Sequence, residues 1–166
     1  EGGKNTKGRA MQNLINIEQD DSVKAFLVTQ DLKDEAYINS HYVIMATKKG
    51  QVKKTSLEQY SRPRTNGINA ITIREGDQLL EAKMTTGNSQ IMMAVKSGKS
   101  IRFEEEKVRS MGRTAAGVRG IRLPSEDDEV VGMICINDME SSVLVVSENG
   151  YGKRSAVEDY RITNRG

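Results

Sequence analysis

Three stretches of the chain carry the same order of apolar and polar positions. Tyr42–Thr47 is apolar and β-rich, Lys48-Lys49-Gly50 turns, and Gln51–Thr55 is polar. Gln90–Val95, Lys96-Ser97-Gly98 and Lys99–Phe103 repeat that order, and Ser142–Val146, Ser147–Gly150 and Tyr151–Ser155 repeat it again. An apolar run, a short turn with Gly and a polar run predict a β-hairpin, with Gly50, Gly98 and Gly150 supplying positive φ. These glycines recur about every 50 residues, a period that points to a repeat architecture.

A second hairpin is predicted between the first ones. Ile68–Ile73 alternates, Glu75-Gly76-Asp77 turns, and Leu79–Met84 follows. Its counterpart is Val118–Leu123, an acidic turn, and Val130–Ile136. A looser, earlier copy runs Met11–Ile17 and Val23–Val28. The unit is thus four short strands in about 50 residues, which is the arithmetic of a propeller blade. The reading is an all-β, propeller-like domain over 1–166, with about three four-stranded blades in units near 8–60, 61–110 and 111–166. A β-sandwich would also give short strands, but not a self-similar four-strand period. Helix is limited to single turns at Ser56–Tyr60 and Glu104–Val108. The polar connection Gln30–Ser40 is read as the mobile segment.

Composition agrees with a flat fold that has much surface. Apolar residues are 36% of the 166 and charged residues 29%, too lean for one thick core. Frequent Gly and rare Pro suit many tight turns. The net charge of +2 hides a segregated chain. Tyr42–Thr65 carries Lys48, Lys49, Lys53, Lys54, Arg62 and Arg64 against Glu58 alone. Lys96–Arg122 carries Lys96, Lys99, Arg102, Lys107, Arg109, Arg113, Arg119 and Arg122 against Glu104–Glu106. Leu123–Glu140 holds Glu126, Asp127, Asp128, Glu129, Asp138 and Glu140 with no base.

The same step past each turn glycine always brings a base: Lys54, Arg102, Arg154. A cation copied to one place on successive blades would draw a curved positive track, and such tracks bind phosphate backbone through counterion release. The plainer alternative is a solvated edge strand that carries Lys against aggregation. Registration across three repeats, with acid sorted away in sequence, favours nucleic acid. Such a track reads backbone, not base edges. Aromatic platforms for single strands are scarce. Duplex DNA bent around a rim fits best, and bending 20–30 base pairs by 40–90° costs about 1–6 kcal/mol.

Little else in the chain carries chemistry. Cys135 lies in an apolar run and reads as a small buried hydrophobe. His41 is the only His and reads as a surface residue, so no zinc set or triad exists. Glu104-Glu105-Glu106 reads as a solvated loop. Tyr60 and Tyr160 share one repeat position and read as packing between blades. Met92 and Met93 read as core. No phosphate loop is present. No catalysis, metal or cofactor is expected of this stretch. No apolar run approaches a membrane span, and no membrane partner is expected. The chain opens at Glu1, not Met, which suggests an excised piece.

Several runs resemble the C-terminal domain found in the A subunit of bacterial DNA gyrase. They are Ala46–Thr55 with Ser61-Arg62-Pro63-Arg64-Thr65, Val108–Arg113 with Gly117–Leu123, and Glu148–Arg154. The resemblance spans nearly the whole chain. It implies a β-pinwheel, a propeller variant whose blades exchange strands. It implies duplex DNA wrapped around a basic rim. It also implies a complex with the gyrase B subunit, together with the N-terminal part of the A subunit, with ATP and Mg held in those other parts. The setting would be the bacterial cytoplasm, at the nucleoid. The expected DNA contacts are Lys48, Lys49, Lys53, Lys54, Arg62, Arg64, Arg102, Arg109, Arg113, Arg119, Lys153 and Arg154. Two features depart from the family. Its basic-glycine box is not found, since Glu1–Gly8 lacks the paired Arg. The chain also stops inside the repeat pattern, at fewer blades than the family's domain should have. The C subunit of topoisomerase IV and a protein-interaction propeller are the alternative readings. An enzyme using a propeller's central face is the weakest.

Overall fold

The computed structural model describes residues 4–8, 10, 13, 15 and 20–166. Nine strands are named among them: β1 (Tyr42–Thr47), β2 (Gln51–Ser56), β3 (Leu79–Thr85), β4 (Gln90–Val95), β5 (Ser100–Glu104), β6 (Val118–Arg119), β7 (Val130–Ile136), β8 (Ser142–Val146) and β9 (Gly152–Ala156). They form three sheets, ordered β3-β1-β2-β6, β5-β4-β7 and β8-β9. All three predicted hairpins are present, with Gly50, Gly98 and Gly150 at φ of 86°, 92° and 81°. Single 3-10 turns follow them at Leu57–Tyr60, Glu105–Lys107 and Val157–Asp159.

The second hairpins predicted at Ile68–Met84 and Val118–Ile136 are not formed. Ile68–Ile73 forms no strand; its Thr72 N–H reaches the Ala115 carbonyl. β3 instead runs antiparallel to β1, with Tyr42 opposite Thr85, and β7 runs antiparallel to β4. The reason is burial. Five of the six β1 residues are buried, so both of its backbone edges must find partners inside the protein. β2 satisfies one edge and β3 the other.

The segments that follow the second and third 3-10 turns act as arms. The arm of residues 108–123 leaves its own sheet and crosses to the preceding one. There β6 pairs with β2, Val118 opposite Val52. Beyond it, the Gly120 and Ile121 N–H groups donate to the Gly50 carbonyl. Only Val118–Arg119 of the predicted strand Val118–Leu123 is therefore strand. A Cβ on Gly50 would lie 2.6 Å from the Ile121 carbonyl oxygen, so glycine is required there for closeness as well as for φ. The arm of residues 160–166 repeats the move toward the second sheet, where Ile162 bridges Arg102. The sheets therefore do not follow the predicted unit boundaries. The first takes β1 and β2 from 8–60, β3 from 61–110 and β6 from 111–166.

The core is divided along the array. Ile44, Ala46 and Val52 of the first sheet meet Ile91, Met93, Phe103, Val130 and Met133 of the second. A second cluster joins Val43, Met45, Leu57 and Ala82 to Ile38. A third, smaller one joins Met92, Ile136 and Val157, with Val143 and Tyr160 packed against it. Part of the connection read as mobile is a helix, α1 (Glu35–Ser40). Asp34 caps it by accepting from the Ala36 and Tyr37 N–H groups. Six residues are too few to display a helical period in sequence. The looser copy at Met11–Ile17 falls largely outside the described residues, and Val23–Val28 forms no strand.

Candidate nucleic-acid interface

The predicted contact residues separate into buried and exposed cations. Lys53 is fully buried, and its Nζ donates to the Ala70 and Arg113 carbonyls. Burial, together with the nearby Arg113 guanidinium, lowers its pKa to about 8. Lys54 is buried too. Its Nζ lies 2.9 Å from the Glu105 carboxylate and 4.3 Å from the centre of the Tyr42 ring. Arg102 is buried, with Nε on the Gln90 amide oxygen and Nη1 on the Val157 and Tyr160 carbonyls. Lys53, Lys54 and Arg102 thus offer no cation to the surroundings. The position past the turn glycine is not an outer rim: β2 lies between β1 and β6, and in the second sheet the Ile162 arm covers Arg102. Only Arg154, the third copy, is exposed.

The other predicted contacts reach the surface to different degrees. Lys49, Arg62, Arg64, Arg109, Arg119 and Lys153 are exposed, whereas Lys48 and Arg113 are half-buried. Arg113 is partly engaged, with Nη1 donating to the Asn69 carbonyl. Where the arm crosses the first hairpin, Lys49, Gln51, Arg119 and Arg122 line an open groove of about 720 Å³ together with Pro124, Ser125 and Glu126. Arg122 was not among the predicted contacts. Its signal was present, since it lies in the basic arm, but it holds no registered position behind a turn glycine. The groove brings together three cations, two neutral polar side chains and the Glu126 carboxylate, a net positive set in which the cations and neutral groups can hold phosphate oxygens.

Acid and base are less separated in space than in sequence. Glu129 ion-pairs with Lys48 at 3.1 Å. Asp77 accepts the Lys49 N–H, and Asp128 accepts the Ser97 N–H and hydroxyl. The Ser97 hydroxyl in particular holds the Asp128 carboxyl below its usual range. The acidic turns therefore brace the hairpin turns. Glu105, read as solvated, is fully buried: its oxygens accept from Lys54, the Thr85 hydroxyl and the Ser89 N–H.

The remaining candidates are structural. Burial pushes the Cys135 thiol up to about 12, in keeping with a small hydrophobe. His41 is half-buried rather than on the surface, its Nδ1 on the Tyr37 carbonyl and its ring 4.2 Å from that of Tyr37. Tyr60 donates to the Ala70 carbonyl, while Tyr160 packs at the seam of the second and third sheets. Met92 and Met93 are core. Among the described residues, no group of three or more His, Cys, Asp or Glu could hold a metal, and no helix is long and apolar enough to cross a membrane.

Comparison with known proteins places this arrangement in a family. The profile of the DNA gyrase C-terminal domain, a β-propeller, matches residues 41–85, 89–137 and 141–166. The three matches begin at or just before β1, β4 and β8. The DNA gyrase A subunit of Staphylococcus epidermidis is 43% identical over 97% of the chain, and that of Salmonella typhimurium 41% over 99%. The chain spans 18% of the length of each. Among solved structures, the C-terminal domain of DNA topoisomerase IV aligns with a TM-score of 0.84 at 26% identity, covering 95% of this chain and 47% of that one. The DNA gyrase A C-terminal domain aligns at 0.82 and 24%, covering 97% and 51%, and supports the fold. With the profile, the identities and the strand exchange in agreement, the chain belongs to the DNA gyrase C-terminal domain family of β-propellers.

Proposed function

We propose that this chain binds duplex DNA without regard to sequence and bends it across successive repeats, as part of the larger A subunit of a DNA gyrase. The observation that carries this reading is the groove at the first exchange seam. Lys49, Arg119 and Arg122 gather there from a hairpin turn and an exchanged arm. Gln51 and Ser125 add neutral hydrogen-bonding groups. Cations so placed meet phosphates of a duplex lying across two repeats and release counterions. Arg62, Arg64, Arg109, Lys153 and Arg154 are also exposed and are further candidates for phosphate contact.

The whole A subunit would act with the gyrase B subunit through its own N-terminal part, and ATP and Mg would be used in those other parts. This chain would do no chemistry itself. The setting would be the bacterial cytoplasm, on the nucleoid. The corresponding domain in the C subunit of topoisomerase IV is the second reading, motivated by the 0.84 alignment; identities of 41–43% to the gyrase A subunit favour the first. The test is binding of a mixed-sequence duplex across a salt series. A linear fall of log affinity with log salt, equal for unrelated sequences, supports the reading. Absence of binding at low salt contradicts it.

A further inference from the structure

The buried cations that the sequence marked for DNA do something else at the seams between repeats. Lys54 and Arg102 hold the same position in two successive hairpins. The backbone of each is caught by the arm of the next repeat: the Met111 N–H donates to the Lys54 carbonyl, and the Thr163 N–H to the Arg102 carbonyl. Parallel bridges, Lys54 with Ser110 and Arg102 with Ile162, mark the same crossings. The side chain of each then reaches the 3-10 turn of that same next repeat. Lys54 reaches the Glu105 carboxylate, and Arg102 reaches the carbonyls of Val157 and Tyr160. The chemistry differs while the geometry is shared.

A residue held through its backbone and through its head group grips the next repeat at two separated points. One point of attachment would fix a distance and leave rotation free. Two points resist rotation as well. Both grips are also braced from behind, Glu105 by Thr85 and Ser89 and Arg102 by Gln90, which in turn donates to Glu104. Fully partnered buried polar groups of this kind are costly to disrupt and specify one arrangement.

We infer that Lys54 and Arg102 are positioning residues that set the angle between adjacent repeats, and with it the curvature of a duplex lying across them. This rests on the reading of the chain as a DNA-bending module. The residues influence DNA through repeat geometry and touch no phosphate. Arg154, exposed and without such partners among the described residues, serves as the control.

The experiment uses Arg102→Gln, Arg102→Lys and Arg154→Gln in the full 166-residue chain. Three quantities are read: the salt slope of duplex binding, the end-to-end energy transfer of a labelled duplex of about 30 base pairs at saturation, and the spin-label distance between Glu58→Cys and Glu158→Cys with Cys135→Ser. For Arg102→Gln, the salt slope stays at the wild-type value, energy transfer falls by about half, and the label distance distribution broadens about twofold. Arg102→Lys, which keeps the charge but not the fork, moves the same way by less, and it carries the test if Arg102→Gln does not fold. Arg154→Gln leaves the label distance unchanged.

A salt slope reduced by about 0.9 in Arg102→Gln would make Arg102 a phosphate contact and overturn the inference. Unchanged energy transfer and unchanged label distance in both Arg102 variants would overturn it too, leaving only a stabilising role. If the wild-type chain binds no duplex, the DNA reading fails by itself, and the label distance still decides whether Arg102 sets the angle.

Discussion

The first and third hairpins have the same sequence pattern and opposite surroundings. In the first, β2 reads Gln-Val-Lys-Lys-Thr-Ser, and its four central residues are buried. In the third, β9 reads Gly-Lys-Arg-Ser-Ala and is exposed at four of five positions. The apolar strands differ in the same way: β1 is buried, whereas Leu144 and Val146 of β8 are 65% and 61% exposed. The difference is made by neighbours. β3 and the arm carrying β6 cover the first hairpin, and neither has a counterpart on β8-β9 among the described residues. A cation at a given repeat position is therefore a brace where an arm crosses it and a surface charge where none does.

The comparison breaks most sharply at the Lys54–Glu105 pair. Glu105→Ala leaves a buried ammonium without its partner and is expected to cost about 3–5 kcal/mol in urea unfolding. Arg154→Ala, at the position equivalent to Lys54 but exposed, is expected to stay within about 0.5 kcal/mol. Equal losses at the two sites would mean that burial by the arm is not what separates them.

Next come the turn glycines. An alanine at positive φ costs about 1–2 kcal/mol wherever it is placed, so Gly50→Ala and Gly150→Ala share that loss. Gly50→Ala also drives a Cβ to 2.6 Å from the Ile121 carbonyl oxygen, whereas Gly150 has nothing within 4 Å. Thermal unfolding should therefore rank Gly50→Ala clearly below Gly150→Ala. The reverse order would show that the arm yields easily at that crossing.

A further test is a pH dependence at Lys53. Its pKa is lowered to about 8 in the fold, against 10.5 as the ordinary value. Between these values the unfolded chain binds more protons than the native one, so stability rises with pH across the window. It is lost again as pH falls through about 8. Lys53→Met lacks this titration. Wild type should gain on Lys53→Met as pH rises from about 8 toward 10.5, and parallel stability curves would contradict the assignment.

The three hairpins were legible because their signal is local: an alternating or apolar run, a glycine and a polar run lie next to one another in sequence. The 3-10 turns at Leu57–Tyr60 and Glu105–Lys107 were legible for the same reason. The strand partners were not, because β3 joins β1 across the whole intervening loop and β6 joins a different repeat's hairpin. Nothing near Ile68–Ile73 indicates that the strand opposite Leu79–Thr85 is Tyr42–Thr47. The candidate interface followed the same division. Exposed cations such as Lys49 and Arg119 were legible from the clustering of charge along the chain. Registration pointed to Lys54 and Arg102, where a recurring charge reflects a recurring seam. Arg122, which has no registered counterpart, emerged only once the arm was seen to cross the hairpin.

The most direct test of the division between bracing and binding cations is the salt dependence of duplex affinity for wild type and for Lys49→Gln/Arg119→Gln/Arg122→Gln. Weaker binding is expected of the triple variant, with a log–log slope shallower by about 0.9 for each phosphate contact removed and thermal stability near that of wild type. An unchanged slope in the triple variant would contradict it and place the DNA on another face of the molecule.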